Sequence, residues 1–140
     1  MPNKQPEVPF DFEASYIPSY FKTGMFLVEV EKVSLNKRAE PVLTFKVLDS
    51  PDGKMINARR TENFFTSSES VKGQALWREK FTDLLNSVNM RKIQDLTTLV
   101  GQKMVLAITQ PGRETLPNFR KQADFDRTWQ PKHVRDAQAF

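Results

Sequence analysis

The sequence predicts a mainly β domain, five strands with one helix set between the third and the fourth. Three observations lead there. Apolar residues alternate with period two through about 26–30, 43–47 and 104–108; the spacing changes to three and four between residues 77 and 88; and proline, glycine and asparagine punctuate the joins. At 140 residues, with 39% hydrophobic and 27% charged side chains, the chain is sized for one domain with a single core.

Residues 1–19 carry Pro2, Pro6, Pro9 and Pro18 with little periodicity and read as an arm. The domain proper is expected over 20–129, and "QPKHVRDAQAF", residues 130–140, reads as a tail. In "GMFLVEVEKVSLN" Phe26, Val28 and Val30 share one face, after which Val33 and Leu35 take the apolar role on the opposite parity. Such a phase switch calls for a bulge or a bend in a long first strand. "PVLTFKVLDS" is the second strand, with Leu43, Phe45 and Val47 on one side. "SPDGK" is a turn, because Pro51 presets its backbone angle and Gly53 accepts positive φ. A third strand from Lys54 to about Thr66 completes a meander.

From Ser70 onward Trp77, Phe81, Leu84, Leu85 and Val88 fall on one helical face. Asp95 to Val100 suits one short further turn closed by Gly101. "QKMVLAITQ" is the fourth strand, "PGRETLPN" a loop, and "FRKQADFDRTW" a weakly marked fifth strand. This order is that of the OB-fold, a small, partly open five-stranded barrel. An α+β sheet with one covering helix has the same order and stands as the alternative.

Several chemistries are excluded or disfavoured. There is no cysteine, hence no disulfide, thiolate metal site or cysteine nucleophile, and an intracellular setting is the simpler expectation. No run approaches the roughly 18 apolar residues of a membrane span, and the start of the chain has no apolar signal core. The single histidine, His133, lies in the tail, which argues against His-dependent triads and most zinc sites. "DFE" (11–13) and "DFD" (124–126) would have to converge from opposite ends of the chain to hold a metal. No Gly-rich loop precedes a helix. No catalytic residue, cofactor or metal is therefore expected.

The net charge of +4 sets a mild positive field, which suits an anionic partner without requiring one. In an OB-fold the middle strands and the loops joining strands one to two and four to five form the usual oligonucleotide surface, and the cations fall there. Lys37 and Arg38 lie in the first loop, Lys46, Lys54 and Arg59 on strands two and three, and Arg113, Arg120 and Lys121 in or beyond the second loop. Phe65, Phe119, Phe125 and Trp129 are the candidate stacking rings, and stacking one base is worth roughly 1–3 kcal/mol. Phe26, Phe45, Trp77 and Phe81 have core-like spacing. Arg59 and Arg60 must point to opposite faces of a regular strand, and Arg60 shares parity with Ile56 and Ala58, so Arg59 is the outward one.

"PFDFEASYIPSYFKTGMFLVEVEKV", "VLTFKVLDSPDGKMI", "WREKFTDLLNSVNM" and "DLTTLVGQKMVLAIT" together resemble a family of phage proteins whose genes lie beside recombination genes. The likeness spans roughly residues 9–126, and "NARRTENFFTSSES" is longer than the family's usual approach to the helix. Members look like OB-fold single-stranded-DNA-binding proteins. The resemblance implies a non-specific binder that protects single-stranded DNA in the bacterial host cytoplasm during phage DNA replication or recombination. It implies partners among replication or recombination proteins, and a homo-oligomer is compatible with it. The closing "RDAQAF" has the terminal Phe140 of the partner-recruiting tails of such binders, but only Asp136 for their acidity. The alternative is a small phage interaction module that binds or inhibits another protein through the same rings and cations.

Overall fold

The computed structural model describes residues 6–12, 23–109 and 118–131. Arg113, His133 and Phe140 lie outside the described residues, as does most of the loop between the last two strands. Five strands form one antiparallel sheet: β1 (Gly24–Leu35), β2 (Pro41–Asp49), β3 (Arg59–Asn63), β4 (Lys103–Ile108) and β5 (Asn118–Lys121). Helix α1 (Val71–Ser87) follows β3, and single 3₁₀ turns occupy Leu96–Leu99 and Gln122–Asp124. The strand order is β3-β2-β1-β4-β5, and no ladder joins β3 to β5, so the sheet does not close into a barrel. Among the described residues no helix is long and apolar enough to cross a membrane.

The expected phase switch in β1 is present and has a definite site. Val30 stands opposite Phe45 and Lys32 opposite Thr44, which leaves Glu31 as an extra residue on β1. That bulge resets the parity, so Val33 opposite Leu43 packs on the core face again. Leu35 does not join it: beside the β1–β2 turn, opposite Pro41, it is 59% exposed.

The third strand is shorter than expected. The carboxylate of Asp52 accepts from the Lys54 N–H at 2.9 Å and the Ser50 hydroxyl at 3.0 Å, closing an Asx-type turn. Asn57 at φ 72° then turns the chain, and the ladder with β2 starts only at Arg59. Lys54 therefore sits in a turn.

The inner face of the sheet holds the core. Phe26, Val28, Val30, Leu43, Phe45, Val47, Met104, Leu106 and Ile108 pack there against Leu84 and Leu85 of α1 and Leu99 of the 3₁₀ turn. Ser70 caps α1 by accepting the Gly73 N–H at 2.9 Å. Phe81 meets Phe64 edge to face at 5.0 Å. Trp77 is half-buried at the margin and donates to Gln74 at 2.9 Å. Asp95 caps the 3₁₀ turn by accepting from the backbone and hydroxyl of Thr97, and Gly101 at φ 87° follows.

Helix and sheet are also joined by charge. Glu62 of β3 is buried and accepts from Arg60 at 2.5 Å and from Lys80 of α1 at 2.6 Å. The Lys80 ammonium also lies 4.9 Å from the Phe64 ring. Arg60 thus faces the helix and Arg59 the opposite side, as parity requires.

The outer face carries a second, smaller apolar cluster. Met25, Val105 and Ala107 are buried there under Leu27, Phe125 and Trp129. Residues 122–131 form a strap that folds back over these strands. Arg127 pins it to Asp49 at the end of β2 through two hydrogen bonds of 3.1 and 2.6 Å. At its far end the Gln130 side chain donates to the Thr23 carbonyl at 3.4 Å, beside the start of β1.

Candidate nucleic-acid interface

With the strap covering one part of the outer face, the remainder is polar and charged. Pairing registers place Arg59 opposite Lys46, Lys46 opposite Glu29, and Glu29 opposite Lys103, a row that crosses β3, β2, β1 and β4. Lys32, opposite Thr44, stands in the next row after the bulge. Adjacent strands lie about 4.8 Å apart, so the row crosses roughly 14 Å of surface.

The cations here differ in what holds them. Arg59 gives Nε and Nη2 to the two Glu31 oxygens at 2.6 and 2.9 Å, and Nη1 to the Asn57 carbonyl. Arg120 lies over Trp129, 5.0 Å from the ring centroid. Arg127 is held by Asp49. By contrast Lys32, Lys46 and Lys103 form no ion pair among the described residues. Glu29 stands between Lys46 and Lys103 in the row without closing an ion pair with either.

The β1–β2 turn adds Lys37 and Arg38 at its exposed tip. Asn36 builds that turn: its side-chain oxygen accepts the N–H groups of Arg38 at 2.9 Å and Glu40 at 3.0 Å, and Ala39 takes φ 58° to close it. Glu40 is buried and ties this turn to the loop after β3. It accepts from the Asn36 amide at 3.0 Å and from the Ser67 hydroxyl and N–H at 2.7 and 3.2 Å. Donation from Asn36, then from Ser67, holds the Glu40 carboxyl below its ordinary value of 4.5. Two residues before Ser67 stands Phe65, 57% exposed, in the segment that Glu40 joins to this turn.

The other expected rings are placed differently. Phe119 is only 6% exposed and belongs to the core, against Phe45. It offers no face to a base. Phe125 and Trp129 are half-buried and cover the outer apolar cluster, so packing accounts for them first. Lys121 is exposed at the end of β5, beside a shallow groove of about 690 Å³ that Lys103 also lines. Lys54 lies exposed in the β2–β3 turn, away from the row. Asp126, one of the carboxylates considered for a metal, accepts from the hydroxyl and N–H of Thr128, which lower its pKa.

Lys32 and Lys103 are the residues that sequence reasoning missed. The signal for Lys103 was parity, since it shares a side of β4 with Val105 and Ala107 and not with the main core. For Lys32 it was the position directly after the phase switch. The chain matches no protein-family model, and no curated protein is significantly similar to it.

Proposed function

We propose that the outer face of the sheet binds single-stranded DNA without sequence preference. The observation that carries this is the set Lys32, Lys46 and Lys103 on one face, without an ion pair among the described residues, together with the turn bearing Lys37 and Arg38 and the accessible Phe65 in the segment that Glu40 joins to that turn. Cations that track a backbone, with a ring for a base, are the parts such binding needs. The strand order β3-β2-β1-β4-β5 is that of an OB barrel opened between its third and fifth strands, and supports an OB-type reading of the sheet. The binder coats and protects the strand during phage-type replication or recombination and presents it to partner proteins in the host cytoplasm; it carries out no chemistry.

The competing reading, a protein-interaction module, draws on the segment before β1. Val8, Phe10 and Phe12 are exposed there, and the two rings stack at 6.1 Å. One titration separates the two. Fluorescence anisotropy of labelled oligo-dT, about 30 nucleotides long, is followed at low and moderate salt with duplex competitor. Salt-weakened binding that duplex fails to displace supports the DNA reading. Absence of binding at low salt overturns it in favour of the interaction module.

A further inference from the structure

Arg59 sits on an edge strand, yet its partner Glu31 belongs to β1, with β2 between them. The guanidinium lies across β2, beside Lys46. Glu31 is itself the bulge residue, the extra one between the Val30–Phe45 and Lys32–Thr44 pairs. In a regular strand Glu31 would stand opposite Thr44 on the same outer face as Glu29; the bulge releases it from that pairing and gives the place to Lys32.

The contact is a fork, with Nε and Nη2 each meeting one carboxylate oxygen. Arginine presents the same fork to two oxygens of a phosphate. The pair is also accessible, with side-chain exposures of 28% for Arg59 and 40% for Glu31. An exposed pair is weakly held and open to exchange. The third anchor, the Asn57 carbonyl on Nη1, does not depend on Glu31 and keeps the guanidinium oriented if the carboxylate leaves. Asn57 is fixed in turn, since its N–H donates to the Val47 carbonyl at 2.8 Å.

We propose that Glu31 is an internal phosphate mimic and Arg59 a gated phosphate subsite. In the free protein Glu31 occupies the fork; a phosphodiester of a bound strand displaces it and takes both hydrogen bonds. The proposal rests on the DNA reading given above. It assigns Glu31 a role in discrimination, because only a ligand already engaged by Lys32, Lys46 and Lys103 brings a phosphate close enough, for long enough, to compete with a tethered carboxylate. A brief encounter with an unrelated polyanion leaves the gate shut.

The test is oligo-dT affinity for the full chain and for Glu31→Gln, Arg59→Gln and the double variant, at two salt concentrations. Glu31→Gln removes the competing charge and is expected to tighten binding by about two- to fivefold, the range of an exposed ion pair. Arg59→Gln in the Glu31→Gln background is expected to abolish that gain, and to cost more there than in the wild type. Glu31→Ala repeats the measurement with a different side chain, and melting temperatures check that every variant is folded.

If wild type binds and a folded Glu31→Gln binds equally or more weakly, the gate is overturned while the DNA reading stands. If neither binds at low salt, the DNA reading fails and the gate falls with it.

Discussion

The rings of Phe45 on β2 and Phe119 on β5 lie 5.8 Å apart, although β1 and β4 run between their strands. Three strand spacings amount to about 14 Å in a flat sheet, with side chains standing upright from it. Rings that meet across that span require the sheet to curl around its inner face. The curl makes Phe119 a core residue, and it also turns the outer face into a convex surface.

Phe119→Ala is therefore expected to destabilise the fold by about 3–5 kcal/mol, as for a large-to-small change in a packed core. Thermal melting should show a marked fall in Tm. Oligonucleotide affinity per folded molecule should not change.

Phe65→Ala is expected to do the reverse. The ring is exposed, so stability should stay within about 0.5 kcal/mol of wild type. Affinity for oligo-dT should fall by roughly 1–3 kcal/mol, one lost stacking contact. A fall in Tm with unchanged affinity would assign the ring to packing.

Replacing Lys46 and Lys103 together with glutamine should flatten the salt dependence of binding. Each phosphate no longer neutralised removes about 0.7 from the log–log slope for a single strand, so the pair should remove about 1.4. Lys54→Gln, in the β2–β3 turn, serves as the control and should leave the slope nearly unchanged.

Arg60 and Lys80 share the carboxylate of Glu62 at the sheet–helix junction, and all three side chains are largely buried. Breaking a buried ion pair from one side is strongly destabilising, so Glu62→Gln should cost on the order of 3 kcal/mol. Chemical denaturation would read this as a lower midpoint with an unchanged slope.

Glu40 makes a pH prediction. Its folded-state pKa is depressed, first by the Asn36 hydrogen bond and then by those of Ser67, so its charged form stabilises the fold at neutral pH. That contribution is present above the ordinary value of 4.5 and is lost as pH falls through the lower, folded-state value. Melting temperature followed down from pH 6 should fall less steeply for Glu40→Gln than for wild type in the acid range.

Much of the sheet was legible because it depends on neighbours in sequence. The step from Val30 to Val33 announced the bulge, the opposite parities of Arg59 and Arg60 set which one faced out, and the helix followed from Trp77 to Val88. What could not be read depends on contacts across strands. Phe65 and Phe119 have similar polar surroundings in sequence, and only the curl of the sheet separates an exposed ring from a buried one. The strap hid in the same way: "ADFDRTW" alternates much as a strand would, but its rings fold back onto Met25, Val105 and Ala107. Glu31 looked like one more polar residue in a polar stretch. Its reach to Arg59 exists only because β3, two strands away, presents the guanidinium toward it.

The hydrogen bond from Gln130 to Thr23 brings the entry to β1 and the exit of the strap to one corner of the molecule. Ends that meet can be joined. A flexible bridge of about four residues spans roughly 10–12 Å. The chain could then be circularly permuted, with new ends opened in the exposed turn at Asp52 to Lys54. Such a permutant would keep every strand pairing while discarding the segments outside 23–131. Its behaviour would show whether the sheet alone, without arm or tail, accounts for what the protein binds.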